Sequence, residues 1–324
     1  MKKRIEYIDL YKGIGILLMI MAHVNFWGRI DHFIHAFHMP MFFVASGYLY
    51  QKRSSAELSL GSFLKKKSKS MLIPYFVFGL INFLVFVIQE GFSVEPLIHL
   101  VFINNHGVAI AGALWFITAL LITETVYFLL DRYCTETVKL IVIAVLAIFG
   151  CVVRLVLPFT LPWSLGAAMV GLFFYQVGIW CRQRDSKLFA MPTVPMAILF
   201  IVISVVALII PELNMRNEEY GIIPVSILDA ALLSVLLLFF CYKADQTPAG
   251  DNRVIKMIKS IGENSIVYLC LNQLVIKLIL DTLTTTGINK HIGKMICYLL
   301  SVVILYILSK IITSSKLKVL IGRF

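Results

Sequence analysis

Residues 1–30 read MKKRIEYIDLYKGIGILLMIMAHVNFWGRI. The apolar run at 10–29 carries two ionisable side chains, Lys12 and His23. Eleven positions separate them, which at 100° per residue is three helical turns plus about 20°. On a helix the two therefore share one face, about 16 Å apart along the axis. An ionisable residue inside a membrane span is costly and marks a functional site by default. Two on one stripe predict a polar seam through the span.

Composition says what surrounds that seam. Of 324 residues, 60% are hydrophobic and 15% charged, with a mean hydropathy of +0.89. Soluble domains carry about 25% charged residues. The solvent here is a bilayer, where each span needs roughly 20 apolar residues. Apolar runs at 10–29, 33–51, 71–90, 111–130, 138–157, 164–181, 191–210, 222–242, 264–284 and 292–312 predict ten spans. The fold class is an all-α polytopic membrane protein. The connecting segments are short, so residues 1–324 read as a single integral-membrane domain. No small-residue cleavage site follows the basic start, so the first run reads as a retained span.

Ten is even, which puts both termini on one side. With the N-terminus inside, and with Arg29, Lys139, Lys294 and Lys310 at the span ends counted with the segments they adjoin, twenty-two basic residues fall in inner segments, four outside and three within spans, which accounts for all 29. Such a bias orients membrane proteins N-in and C-in. It also accounts for the net charge of +11 without nucleic acid, because the inner face meets anionic lipid headgroups. Within the basic segment 52–70, Lys65, Lys66, Lys67 and Lys69 either anchor the topology at the interface or receive a phosphate-rich ligand. The acidic segment PELNMRNEEYGIIP reads as a plain outer connector.

All seven histidines map to the outer half or outer loops. His35 and His38 are three apart and share a face that continues toward Ser46. A short hairpin joins the first two spans, so His23 and His38 are expected at similar depth. Neutral imidazole is a good acid–base group near pH 7. Zinc held by His23, His35 and His38 is conceivable, but no HExxH spacing supports a metal. Asn25 follows His23 closely. Other polar residues in spans are Glu124, Arg154, Asp229, Asn272, Gln273 and Lys277. Lone charges in lipid are expensive, so Arg154 is expected to pair with Asp229 or Glu124. Trp115 fits either an interfacial aromatic belt or a platform for a sugar ring. The six cysteines show no CxxC or metal spacing and read as buried small hydrophobes.

Several blocks together resemble one family. YIDLYKGIGILLMIMAH carries a basic residue, ten intervening residues and a histidine, here Lys12 and His23. FHMPMFFVASGYLY carries His38, Met39, Pro40, Ser46 and Gly47. KKKSKSMLIPYFVFG, ALWFITALL, FFYQVGIWCRQ and IGENSIVYLCLNQ follow in order along nearly the whole chain. The pattern resembles the acyltransferase family 3 membrane proteins, which include polysaccharide O-acetyltransferases and sugar O-acetylases, with the fucose 4-O-acetylase branch nearest in kind. Two departures stand out. Lys12 replaces a frequent arginine, which removes bidentate contact. Asn272 stands where a histidine often ends the penultimate block.

The resemblance implies an O-acyltransferase in the cell membrane of a bacterium. Its acyl donor would be cytoplasmic acetyl-CoA or another acyl-CoA, with no metal. Its acceptor would be an extracytoplasmic polysaccharide or lipid-linked sugar. Lys12, Lys65, Lys66 and Lys69 would receive the coenzyme's phosphates. His23 would act as general base on the acceptor hydroxyl, or carry the acyl group itself. His38 would orient His23 or bind the acceptor, and His35, Asn25, Trp115 and Ser46 would line its site. Ser46 as a nucleophile has no base placed beside it. A competing class is a transporter or flippase of an envelope glycan or small solute, which predicts paired discontinuous helices. A non-catalytic membrane subunit would not need ionisable residues in its first span.

Overall fold

The computed structural model describes residues 4–26, 28–51, 59–285 and 287–323. In chain order the helices are α1 (Glu6–Val24), α2 (Gly28–Phe37), α3 (Pro40–Tyr48), α4 (Leu60–Glu90), α5 (Glu95–Val101), α6 (Trp115–Tyr133) and α7 (Glu136–Val156). There follow α8 (Leu165–Gln183), α9 (Asp185–Phe189), α10 (Thr193–Ile209), α11 (Ile223–Asp245), α12 (Arg253–Glu263), α13 (Ser265–Thr284) and α14 (Lys290–Ser314). Lys52 and Arg53 lie outside the described residues.

The protein is an all-α polytopic membrane protein. Among the described residues, 8 helices are long and apolar enough to span a bilayer: α1, α4, α6, α7, α8, α11, α13 and α14, the sixth and eighth of the chain each extended by a 3-10 turn at the start. The other two expected spans differ from the expectation. Helix α10 has only 17 residues. The run at 33–51 is not one helix but two, α2 and α3, interrupted at His38 and Met39. Pro40 supplies no N–H to the turn before it, and its ring crowds the carbonyl four residues back. An interrupted helix survives at membrane depth where protein covers it, and Phe37 through Ala45 are all buried. The basic segment also differs. Ser59 caps α4, accepting from the Ser62 amide at 3.2 Å, so Lys65 to Lys69 are helical. Thirty-one residues extend about 46 Å at 1.5 Å each, well beyond a ~30 Å hydrocarbon core.

The chain forms two compact units. The first comprises residues 1–50, 174–215 and 219–265, and the second residues 51–173, 216–218 and 266–324. In the first unit α1 packs on α12, α11, α3 and α2. Glycines set the closest crossings. A Cβ on Gly262 would lie 1.8 Å from the Asp9 carbonyl oxygen, and one on Gly13 would lie 2.0 Å from that of Ile258, so α1 and α12 meet backbone to backbone. Gly47 against Tyr175 and Gly178 against Val44 make the same crossing between α3 and α8. Small residues at such contacts are how membrane helices gain packing without a hydrophobic driving force. Lys259 fastens α12 further, its Nζ 2.8 Å from Glu6 and 2.5 Å from Asp245.

In the second unit α4 packs on α6, and Lys67 Nζ lies 2.6 Å from Glu124. Glu124 therefore pairs with Lys67 and not with Arg154, whose guanidinium donates to the Thr160 hydroxyl at 3.1 Å. Lys67 prevails because the basic stretch is helical and reaches the α6 surface. A buried polar chain holds the segment between α5 and α6. Asn104 donates to the Tyr75 hydroxyl at 3.0 Å and to Thr118 at 2.6 Å, and Ser164 donates to the Asn104 carbonyl at 2.9 Å. The described cysteines are free, and all but Cys134 are buried.

Candidate functional site

The seam of the first unit begins at the start of α1. Lys12 Nζ lies 3.0 Å from Asp9 Oδ1, one helical turn back. Asp9 is 6% exposed, and Arg4 Nε holds its other oxygen while Arg4 Nη1 reaches Glu263. Asp9 was absent from the expected site. Its signal was the i, i+3 spacing to Lys12, which puts opposite charges side by side on a helix.

His23 sits in the last turn of α1 and is half-buried. Asn25 ends that helix in the left-handed region at φ 55°, its N–H bonded to Ala22. Asparagine tolerates this conformation better than most residues, so Asn25 terminates the helix that carries His23. The interruption between α2 and α3 then fixes His38. Its Nδ1 lies 2.9 Å from the Ile34 carbonyl, an acceptor only, so Nδ1 carries the proton and Nε2 keeps its lone pair in the neutral ring. His38 is 4% exposed. His35 stacks edge-on against it with ring centroids 5.1 Å apart. His35 Nδ1 is bonded to the Asp31 carbonyl at 2.9 Å and lies 3.9 Å from Glu212. His23 and His35 are both within electrostatic reach of His38. His32 donates from Nε2 to Ala207 and Ile210 at 3.0 and 2.9 Å, pinning α2 onto the carbonyl end of α10. Three histidines named from the sequence thus come together in one unit, at the end of α1 opposite Lys12.

Ser46 lies half-buried on α3 beside the Gly47 crossing. No group of three His, Cys, Asp or Glu side chains suited to a metal occurs among the described residues.

The remaining named residues belong to the second unit. Lys65, Lys66 and Lys69 are exposed on α4. Trp115 opens α6 and is 3% exposed, edge-on to Phe116, so its ring is packed in protein and not set in a lipid-facing belt. Asn272 is fully buried and donates to Tyr268 and Leu269 of its own helix at 2.9 and 2.8 Å.

The segment read as a plain connector is more than that. Asn214 and Glu219 pair through both backbone groups. Arg216 Nε donates to the Asn105 carbonyl at 2.5 Å and Asn105 Nδ2 returns a bond at 3.4 Å. A Cβ on Gly112 would lie 2.7 Å from Arg216 Nη1. Burial lowers the Arg216 pKa. Glu218 is 4% exposed with φ 60°. It lies near the Ala167 amide and within the field of Arg154, yet burial prevails and raises its pKa. His106 is pushed down, by burial first and then by His99, Arg216 and Arg154. One sequence signal marked this segment: Arg216 is among the few basic residues assigned outside.

The acyltransferase 3 family model, described as an acyltransferase domain, matches residues 5–313. Comparison with curated proteins gives no match.

Proposed function

The chain belongs to the acyltransferase 3 family, and from that premise we propose that this membrane acyltransferase moves an acetyl group from cytoplasmic acetyl-CoA to a hydroxyl of a cell-envelope polysaccharide or lipid-linked sugar. The observation that carries the proposal is the single face of α1, with Lys12 held by Asp9 at one end and His23 near His38 and His35 at the other.

The anionic coenzyme approaches the basic inner face, where exposed Lys65, Lys66 and Lys69 raise the local positive potential. Lys12 takes a phosphate oxygen as a point charge. The thioester arm runs along the seam to His23. His23 accepts the acceptor hydroxyl's proton as its oxygen attacks the thioester carbon. The tetrahedral intermediate collapses, the carbon–sulfur bond breaks, and the proton passes to the departing thiolate. His38, with Nδ1 committed to Ile34, offers Nε2 to orient the incoming hydroxyl or the His23 ring. His35, Asn25 and Ser46 line the acceptor's approach in the same unit.

Purified protein supplied with acetyl-CoA and envelope glycan provides the test. His23→Ala should lose acyl transfer while retaining its thermal unfolding profile. Turnover within a few-fold of the unaltered protein would overturn the assignment of His23.

A further inference from the structure

The first unit holds a cavity of about 370 Å³ lined by Tyr7, Asp185, Ser186, Phe189, Ala190 and Tyr242. These residues come from the start of α1, from α9 and the turn after it, and from the end of α11. The wall is aromatic. Phe189 and Tyr242 stack with centroids 3.9 Å apart, and Tyr7 meets both edge-on. Beside it, Tyr48 donates to Asp185 Oδ2 at 3.4 Å, and Arg182 donates to the same oxygen at 3.2 Å. Arg182 also donates to the Tyr48 hydroxyl at 3.3 Å. With its own proton spent on Asp185, Tyr48 accepts from Tyr7 at 2.6 Å. Asp185 is thereby fixed through Oδ2, and no described residue bonds Oδ1.

We propose that this cavity binds the adenine nucleotide end of the coenzyme donor, with the base against the aromatic wall and its exocyclic amine donating to Asp185. The proposal rests on the reading of the protein as an acyl-CoA-dependent enzyme. Aromatic side chains hold a nucleobase by its face whatever its edge carries. The edge is read by the carboxylate, an acceptor only. Adenine presents an amine there, while hypoxanthine presents a carbonyl whose lone pairs oppose it. Ser186 supplies a hydroxyl at the rim, and Arg182, Arg184 and Lys187 are exposed along the same short segment, where they meet phosphates. Tyr7 and Lys12 both lie in the first half of α1, Lys12 five residues on from Tyr7.

Isothermal titration of the purified full chain with adenosine 3′,5′-bisphosphate, its hypoxanthine counterpart and acetyl-CoA tests this. The adenine form should bind at least about tenfold tighter than the hypoxanthine form, the scale on which unpaired polar edges are rejected. Asp185→Asn keeps the shape and can donate or accept, so it should abolish that preference. Tyr242→Ala should weaken both forms by about tenfold, the order expected for one lost stacking partner. In acyl transfer both changes should raise the acetyl-CoA KM and leave kcat unchanged. Unaltered preference in Asp185→Asn, with acetyl-CoA still bound, would overturn the cavity's assignment alone. Failure of the unaltered protein to bind acetyl-CoA would overturn the donor reading as well.

Discussion

Replacing Gly262 by alanine would put a methyl group 1.8 Å from the Asp9 carbonyl oxygen and 2.6 Å from the Gly13 nitrogen. Real Cβ atoms come no nearer than about 3.0 Å to such neighbours. Both neighbours are backbone, so no side chain can turn aside and α12 must retreat from α1 by more than about 1 Å. Overpacking of this kind costs typically ~1–3 kcal/mol, and more where the backbone must move. At roughly 2–4 °C per kcal/mol, thermal unfolding should fall by several degrees. The retreat occurs beside Asp9, which holds Lys12, and at the residue before Glu263, which holds Arg4. Gly262→Ala should therefore also raise the acyl-CoA KM. Gly61→Ala is the control, because a Cβ there meets nothing within 4 Å. Intrinsic fluorescence during heating reads the first effect and a donor titration of acyl transfer reads the second. Unchanged unfolding in Gly262→Ala would refute the backbone contact between α1 and α12.

Lys12→Ala should raise the donor KM by about tenfold or more, as expected when a charge-assisted bond is lost, and leave the acceptor KM unchanged; titrating each substrate separately checks this. A double-mutant cycle of Lys67→Met and Glu124→Gln should give a favourable coupling of ~0.5–3 kcal/mol in unfolding, since the pair is partly buried at 2.6 Å; additive effects would contradict it. Glu218→Gln should stabilise the protein at neutral and higher pH. Burial raises the Glu218 pKa, so the folded state favours the protonated acid, and stability present below the unfolded pKa is lost as pH rises through the folded one. The advantage of glutamine should vanish in acid, as unfolding measured from pH 4 to 8 would reveal.

Much of this architecture was legible in residue order. Apolar runs located every long helix, and the spacing of Lys12 and His23 put them on one face before any packing was known. The interruption at Pro40 was written in the sequence, but composition alone favoured one continuous run through it. What escaped were features set by contacts between distant segments. Glu124 found Lys67 because the lysine stretch is helical from Leu60 onward, which a charge-rich segment does not announce. Arg216 and Glu218 lie in a stretch whose polarity fits any exposed loop, and only the fold reveals their burial. Tyr7, Tyr48, Asp185 and Tyr242 are spread over more than two hundred positions, so no local pattern could join them.

The central claim is vectorial transfer along the Lys12–His23 face, and sided vesicles test it most directly. The protein is reconstituted in one orientation, which protease access to the α4 lysines establishes. Membrane-impermeant acetyl-CoA is then supplied to one face at a time, with the glycan acceptor on the other. Acyl transfer should occur only when the donor meets the face carrying Lys65, Lys66 and Lys69, and His23→Ala should abolish it. Equal transfer from both faces, or transfer only from the face carrying Arg216 and Lys290, would contradict the account.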